Sequence, residues 1–290
     1  IVLFPWMQAT IDAAGWRTAC WAMAIVLAAT LIPLNVLLQR RRPEDIGLTP
    51  DGDKRAPTAA AAASAQVRAP AGAARASTTS PSEENWTLRQ ALGSAKFWLV
   101  SGGFACALFV WYAILVHQTK YLQDLGFSTQ FSSFALGLVP LFGVAGQIGL
   151  GALSDRIGRE WIWTFACIGF ALCYALLIVL RIYPQPLVVW LMVLAQGGLG
   201  YSLVSVYGAI PADLFRGPNY GLIYGTMSFF GSLGAALGPF LLGRIYDWTG
   251  SYDIAFVIAI GLSLLSILLI WLAAPRHATT AARTRRAVVR

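Results

Sequence analysis

The sequence has few charged residues and few residues that carry out chemistry. Charged side chains make up 12% of its 290 residues, whereas soluble domains carry about 25%. There are two histidines and four cysteines, without a CxxC or HExxH pattern, which gives no support for a metal site or a disulfide framework. No GxSxG or GxxxxGK[ST] sequence is present either, which argues against a hydrolase and an ATP-driven pump. We therefore predict no catalytic residue, no metal site and no cofactor.

Long apolar segments dominate the chain instead. Hydrophobic residues make up 57% of it, and the mean hydropathy is +0.64. At a rise of about 1.5 Å per residue, segments of 20 or more residues match the roughly 30 Å hydrocarbon layer of a bilayer. A peptide group finds no hydrogen-bond partner in lipid, so these segments are predicted to be the helices of an all-α membrane protein. The predicted spans are residues 18–38, 97–116, 131–153, 161–180, 187–212, 219–243 and 254–273.

The basic residues predict the orientation of these spans. If the chain alternates sides, 17 of its 21 Lys and Arg residues fall on the side of residues 39–96, the loops near residues 155 and 216, and the C-terminus. The positive-inside rule places this side in the cytoplasm. The formal net charge of +8 makes anionic lipid the expected partner, whereas nucleic acid is a poor candidate.

Three segments differ from the spans. Residues 1–11 are apolar but cover only about half a bilayer, and we interpret them as the outer end of a helix cut in its middle, so that the chain is expected to be a fragment. Residues 43–85 contain no aromatic residue and cannot bury enough apolar area to fold, which predicts a disordered cytoplasmic linker over residues 39–85. Residues 275–290 are predicted to form a basic cytoplasmic tail.

The segment WTLRQALGSAKFW connects this linker to the next span. At helical spacing it places Trp86, Leu88, Leu92 and Ala95 near one face, as in a short helix that lies in the membrane interface. An N-terminal extension of the following span is the alternative. The four cysteines, which all fall within predicted spans, are interpreted as small packing residues; they are Cys20, Cys106, Cys167 and Cys173.

The sequence GALSDRIGRE places a compact group of charges between two apolar spans. Gly151 lets two helices approach closely, and Gly158 permits the chain to reverse. Arg156 and Arg159 follow the positive-inside preference, whereas Asp155 weakens it. An acid here is expected to contact a helix N-terminus or an arginine. Such an interaction contributes about 0.3 to 2 kcal/mol and can act as a latch that stabilises one conformation over another. A solvated turn with ordinary flanking charges is the alternative.

The same stretch resembles the G-x-x-x-D-R-x-G-R signature of major facilitator superfamily transporters, in the copy between helices 8 and 9. Other stretches fall in the same order as in the monocarboxylate-porter and oxalate/formate-antiporter branch of that superfamily. They are GWR (15–17), RRPEDIGLTPDG (41–52), WTLRQAL (86–92), YLQDLGFS (121–128), ADLFRGPNYGLIYG (212–225) and GPFLLGRIYDWTGSY (238–252).

The resemblance implies the major facilitator fold. Residues 1–38 are then the end of helix 5 and helix 6 of the N-terminal half, and residues 86–274 are the C-terminal six-helix bundle, helices 7–12. The first four helices are expected to be missing from the chain.

Glycines follow a helical pattern in the predicted helix 11. Gly234 and Gly238 form a small-xxx-small pair, followed by Pro239 and Gly243. Helices in lipid associate through close packing, so a glycine face marks a contact or a sliding surface. Static packing explains the pattern equally well. The resemblance favours motion, because in this superfamily two six-helix halves rock about a central site.

The resemblance also indicates where a solute binds, because helices 7, 8, 10 and 11 face the cavity of this fold and the site lies near mid-membrane depth. Tyr and Gln are costly to bury without partners, so at this depth they either link helices or face water and solute. The predicted solute-binding residues are Trp111, Tyr112, Gln147, Gln196, Tyr201, Ser202, Tyr224, Ser228 and Ser232.

In one respect the sequence departs from that branch, whose carriers place basic residues inside helix 8 or helix 11 to meet a carboxylate. Here no Lys, Arg, Asp or Glu lies in the middle of a predicted span. A counter-charge for an organic anion is therefore expected from the missing half, or the solute is not a carboxylate. His117, which is expected near the outer interface with Arg244, is a weak candidate for proton coupling because imidazole takes up a proton near neutral pH.

The predicted function is secondary active transport of a small organic solute through rocker-switch alternating access. The likeness to the family predicts that this solute is an organic anion, such as a monocarboxylate. A transport-inactive membrane receptor or sensor is the alternative, since a fold does not fix a function, and a membrane enzyme is a third class. Expected partners are the solute, a coupling proton or counter-ion, membrane lipid and the missing N-terminal half of the same protein. The expected location is the plasma membrane, which in a bacterium is the inner membrane.

Overall fold

The computed structural model describes residues 3–38 and 85–273, which are helical apart from short connections. In these residues, seven helices are long and apolar enough to cross a membrane, which confirms the predicted all-α membrane fold. The predicted linker, except Asn85, and the predicted tail lie outside the described residues. The helices are α1 (Leu3–Leu38), α2 (Leu88–Leu92), α3 (Ala95–Asp124), α4 (Thr129–Ile157), α5 (Arg159–Ile182), the interrupted span α6 (Pro186–Leu214), α7 (Tyr220–Thr249) and α8 (Asp253–Ala273).

From Trp6 onward, α1 belongs to one compact unit, and residues 85–273 form another. The backbone of α1 leaves helical geometry at Gly15, where φ is 81° and ψ is 161°. Glycine adopts this region without a steric penalty. The break lies between the predicted segment 1–11 and the predicted span 18–38, both of which are helical within the described residues.

The WTLRQAL segment forms the separate short helix α2. Thr87 and Gln90 make a reciprocal capping box at its start, which satisfies backbone N–H groups that the first turn leaves free. Ser94 then begins α3 by accepting a hydrogen bond from the Phe97 N–H, at 3.3 Å. The ring of Trp86, just before α2, packs edge-on against Phe215, with 5.2 Å between the centroids. The segment is therefore not an extension of α3, and it docks on the loop between α6 and α7.

In the bundle, α3 packs against α7 and α8, while α6 lies between α4 and α5. We call the end with the basic loops the inner end and the opposite end the outer end. Buried apolar residues form an outer core and an inner core, which include Phe170 and Phe104, respectively. Trp111 packs against both cores. Cys167 and Cys173 are fully buried in the described bundle.

Glycines allow α7 to touch α3 through its backbone. A Cβ atom on Gly234 would collide with the carbonyl group of Ala105, and one on Gly238 would collide with that of Phe109. A Cβ on Gly243 would lie 3.5 Å from Cε1 of His117, which is ordinary contact. The Gly234 and Gly238 pair therefore lies in the tightest contact between the two helices.

The span α6 is interrupted in its middle. Residues Ala195–Leu199 form a π-helical turn, followed by a 3₁₀ turn over Gly200–Ser202. The interruption is wedged between neighbours, because a Cβ on Gly197 would lie 2.5 Å from the Val139 carbonyl oxygen of α4. On the other side, a Cβ on Gly169 of α5 would lie 2.6 Å from Cβ of Leu199. π-Helical turns frequently occur at functional sites, and this one carries Gln196.

We predict that Gly234→Ala destabilises the bundle, because its added methyl group meets backbone that cannot move aside. Overpacking of this kind costs about 1 to 3 kcal/mol, and we expect a melting temperature several degrees lower in thermal unfolding of the purified protein. Gly225→Ala on the same helix is the matched control, since a Cβ there meets nothing within 4 Å. Equal melting temperatures for the two variants would contradict tight packing at Gly234.

Candidate functional site

A polar pocket lies between α3, α4 and α6 in the outer half of the bundle. Its volume is about 140 Å³. Apolar residues of α3 and α4 form most of its wall, and the polar side chains that line it are Gln118, Thr119, Ser133, Gln196 and Tyr201. We call this cavity the outer pocket.

Two buried glutamines join α3 to α6 beside the outer pocket. Nε2 of Gln118 donates a hydrogen bond to Oε1 of Gln196, at 3.0 Å, and lies 3.0 Å from Sδ of Met192. Both side chains are almost inaccessible, at 3% and 1% exposure. Sγ of Cys173 also lies 3.8 Å from Oε1 of Gln196. A side-chain amide can make more hydrogen bonds than these, so either glutamine can also bond a polar solute in the pocket.

Tyr201 continues this surface towards the middle of the membrane. Its ring lies against Gly143 of α4, where a Cβ atom would be 2.7 Å from the ring. On the other side, its centroid is 4.5 Å from that of Trp111. The close approach therefore requires glycine at position 143, and it holds the tyrosine between three helices.

Further tyrosines extend from Tyr201 towards the inner end. Tyr112 is half-exposed on α3, next to Trp111, whose ring contacts Tyr201. The ring of Tyr207 is 6.1 Å from that of Tyr224, which stacks on Tyr220 at 5.7 Å. Tyr220 donates a hydrogen bond to the Gly208 carbonyl oxygen, at 2.8 Å. We call Tyr112, Tyr201, Tyr207, Tyr220 and Tyr224 the tyrosine track.

An ion pair holds the inner ends of α5 and α6 together. Nε of Arg159 donates to Oδ2 of Asp213, whereas its Nη2 lies 4.0 Å from Oδ1 of Asp155. The Asp155 side chain is 77% exposed. Gly158, between α4 and α5, has a φ of 108°, which permits the sharp reversal of the chain.

At the outer end, His117 connects α3 to α7 and to the loop before α8. Its Nε2 lies 2.9 Å from the Pro239 carbonyl oxygen, and its Nδ1 lies 3.1 Å from the Tyr252 hydroxyl group. A carbonyl oxygen only accepts, so Nε2 carries a proton. Burial, followed by the neighbouring Tyr246, Asp124 and Asp247, raises the pKa of Tyr252, so that its hydroxyl group stays protonated and can donate to Nδ1 of His117.

Comparison with known proteins identifies the family. A family model described as Major Facilitator Superfamily matches residues 1–210, well over half of the chain. The chain belongs to the major facilitator superfamily.

Curated relatives cover several kinds of transporter of this superfamily. The raffinose permease of Escherichia coli is 28% identical over 200 residues, 65% of this chain and 45% of the permease. Monocarboxylate transporter 12 of Rattus norvegicus is 24% identical over 278 residues, 89% of this chain and 53% of the transporter. The lysosomal dipeptide transporter MFSD1 of Homo sapiens is 26% identical over 156 residues, 52% of this chain and 32% of that protein. The chain thus spans about half the length, or less, of these relatives.

In this major facilitator superfamily member, the order of motifs predicts that α3 to α8 correspond to helices 7 to 12. The structure brings several predicted solute-binding residues together along α3, α6 and α7. Gln196 and Tyr201 line the outer pocket, and Trp111 contacts Tyr201. Tyr112 and Tyr224 belong to the tyrosine track.

The other predicted solute-binding residues lie in different surroundings. Hydroxyl groups of Ser202 and Ser232 bond carbonyl oxygens of their own helices, at 2.6 and 2.9 Å. Oγ of Ser228 is buried and has no hydrogen-bond partner among the described residues. Gln147 is half-buried on α4 and is not among the residues that line the outer pocket.

The predicted latch residues cluster at the inner end. Gly151 allows close contact between α4 and α6, because a Cβ there would lie 3.2 Å from Cβ of Ser205. Arg156 lies on the exposed end of α4. The acid in closest contact with Arg159 is Asp213 rather than Asp155.

Three residues of the site did not stand out in the sequence. Gln118 follows the predicted end of its span, but α3 continues to Asp124 and buries it. Tyr207 is one aromatic residue among many in an apolar span. Asp213 looks like an ordinary loop charge, because its partner Arg159 is distant in the chain.

We predict that Asp213→Asn lowers the melting temperature by a few degrees, since it removes a partly buried, charge-assisted bond worth about 1 to 2 kcal/mol. Asp155→Asn is the matched control and should leave the melting temperature unchanged, because its carboxylate is exposed and distant. Thermal unfolding of both purified variants checks this. A larger loss with Asp155→Asn would overturn the assignment of Asp213 as the partner of Arg159.

Proposed function

We propose that the protein is a secondary transporter that carries a small organic anion, such as a monocarboxylate, across the membrane by alternating access. The proposed binding site is the outer pocket, and the tyrosine track is the surface along which the solute passes towards the inner side. The observation that carries this proposal is the buried Gln118–Gln196 pair. It places two hydrogen-bonding amide groups beside a cavity between three helices that the family uses for transport.

The groups around the pocket suit a carboxylate. Several groups at the pocket can donate hydrogen bonds to an oxygen anion. They are the two N–H bonds of Gln196 and the hydroxyl groups of Tyr201, Thr119 and Ser133. Among the described residues that line the pocket, none is charged. The counter-charge would therefore come from a coupled proton or cation, or from helices outside the described residues.

The size of the outer pocket favours a short solute. A volume of about 140 Å³ is about ten times the roughly 10 to 15 Å³ that a cavity needs to hold one water molecule. This accommodates a carboxylic acid of a few carbon atoms and is too small for a trisaccharide such as raffinose. Of the solutes that the names of its relatives suggest, a monocarboxylate therefore fits best.

The inner ion pair and the glycine contacts suggest how access alternates. Close contacts of α7 with α3, and of α4 with α6, hold this bundle together as a body that can rock against a second one. Asp155 is exposed at the inner end and makes only a long contact with Arg159, so its carboxylate is free to latch onto an opposing helix N-terminus or arginine when the inner side closes. The proposed location is the plasma membrane.

The test is uptake of a radiolabelled monocarboxylate, lactate, into liposomes that contain the complete gene product. We expect Gln196→Leu to reduce uptake at least about tenfold. The change removes a hydrogen-bond donor to the carboxylate and also the buried Gln118–Gln196 hydrogen bond. Gln185→Leu, the same change at an exposed position before α6, is the matched control and should transport normally. Unlabelled raffinose should not compete.

Several results would count against this function. Binding of lactate without uptake or counterflow would indicate a receptor rather than a transporter. Competition by raffinose would refute the small-anion assignment, and normal uptake by Gln196→Leu would place the site elsewhere.

For the latch, we predict that Asp155→Asn slows uptake several-fold while the amount of protein in the membrane stays nearly unchanged. The reason is that an exposed carboxylate contributes little to the stability of this bundle but acts in the closed state. Uptake is measured per molecule, with quantitative immunoblotting of the membranes. Reduced protein with normal uptake per molecule would show that Asp155 serves stability alone.

A further inference from the structure

The outer pocket has a polar side and an apolar side. Helices α3 and α6 bring most of its amide and hydroxyl groups. Helix α4 brings the hydroxyl group of Ser133 and otherwise only apolar groups, those of Leu136, Gly137, Val139 and Pro140. A solute with a polar head and a hydrocarbon tail therefore fits with its head towards α3 and α6 and its tail towards α4.

Gly137 leaves an unfilled space on this apolar side. The residue is buried and lines the pocket. A Cβ atom on Gly137 would meet nothing within 4 Å apart from its chain neighbours and the backbone of its own helix. The position is thus enclosed by the bundle but not filled, and the missing side chain leaves part of the pocket free.

Helix packing does not require glycine at this position, in contrast to two other glycines of α4. A Cβ atom on Gly143 would lie 2.7 Å from the ring of Tyr201, and one on Gly146 would collide with the carbonyl group of Gly198. At those positions glycine permits close contact between helices. Gly137 makes no such contact, and glycine is a poorer helix former than alanine. The free space in the pocket is therefore what glycine provides at position 137.

The helical register places this free space between the polar groups of the pocket. Ser133 and Gly137 are one turn apart, about 6 Å along the axis, and share a face of α4. Because α4 begins at the outer end, Ser133 lies nearer the outer surface, and Gly143, which contacts Tyr201, lies deeper. A solute tail at Gly137 therefore lies between the Ser133 hydroxyl group and the ring of Tyr201.

We propose that Gly137 determines the chain length of the solute, because the hydrocarbon tail occupies the space that a side chain at this position would fill. The carboxylate of the solute lies towards Gln196, and its tail lies over Gly137. This inference rests on the proposed function and makes its site more specific. One methylene group more or less in an apolar pocket changes discrimination by about 10- to 200-fold, so a single methyl group at position 137 has a measurable effect.

The experiment uses 2-hydroxy acids that differ in the length of their tails, with the complete gene product in liposomes. They are glycolate, lactate, 2-hydroxybutyrate and 2-hydroxyhexanoate. Radiolabelled glycolate, the shortest, is the transported probe, and the longer unlabelled acids compete with it. We expect Gly137→Ala to weaken competition by 2-hydroxybutyrate by about tenfold or more, because the added methyl group takes the place of the tail. The KM for glycolate should stay nearly unchanged.

Gly149→Ala on the same helix is the matched control. Gly149 is exposed, a Cβ atom there also meets nothing within 4 Å, and the residue is not among those that line the outer pocket. This variant should transport glycolate and recognise the longer acids like the wild type. Both alanine variants should fold, since alanine favours the helix more than glycine does, and thermal unfolding checks this.

Leu136→Ala tests the proposal in the opposite direction. Leu136 precedes Gly137 in α4 and lines the pocket, so the shorter side chain enlarges the apolar side. We expect competition by 2-hydroxyhexanoate, relative to glycolate, to become about tenfold stronger. A loss of stability alone would reduce the uptake of every acid by the same factor and would leave their order unchanged.

The outcomes separate this inference from the function on which it rests. If the wild type takes up lactate but Gly137→Ala recognises 2-hydroxybutyrate like the wild type, the role of Gly137 is refuted and the proposed function stands. Loss of glycolate uptake in Gly137→Ala would also overturn the inference, because it would show that the residue serves the transport movement rather than the choice of solute. Absence of lactate uptake by the wild type would refute the proposed function, and this inference with it.

Discussion

Close contact between helix backbones is the constraint on which the described bundle depends. Lipid surrounds the spans, so apolar side chains gain little by leaving it for a neighbouring helix, and helices must associate through packing instead. Gly234 and Gly238 provide this contact between α3 and α7, and Gly146 and Gly197 provide it between α4 and α6. Once these backbones touch, the positions of the side chains beside them follow. Gly143, for example, leaves the space that the ring of Tyr201 fills.

The interruption of α6 depends on the same contacts. A π turn followed by a 3₁₀ turn departs from regular helical hydrogen bonding, and in hydrocarbon such irregular backbone is tolerated only where protein surrounds it. Here α4 and α5 enclose it on two sides, through Gly197 and Gly169. The irregular turn lies beside the outer pocket, and its first residues include Gln196. The tight glycine contacts thus support both the stability of the bundle and the interruption of α6, which carries Gln196 and Tyr201 of the pocket.

Hydropathy and the order of motifs were enough to predict the helices, their number in the described residues and the family. They were less informative about helix ends. The run from His117 to Lys120 lowers the hydropathy of α3, so the predicted span ends at residue 116, before Gln118, whereas the helix continues to Asp124. Pairing across the fold is also invisible in one sequence, because neither the Arg159–Asp213 bond nor the Gln118–Gln196 bond follows from local spacing. The linker and tail predictions concern residues outside those that the structure describes and stay predictions.

Among the described helices, α3 connects the outer pocket to the tight contact with α7, because its sides face different neighbours. Gln118 lies towards α6 and the outer pocket, whereas Ala105 and Phe109 meet the glycines of α7. If α3 and α7 move as one body, the pocket keeps its shape while the bundle rocks. If they slide against each other, the pocket changes with the motion, and its affinity for a solute depends on the arrangement. The glycine contacts favour the first case, since backbones that already touch leave little room for sliding.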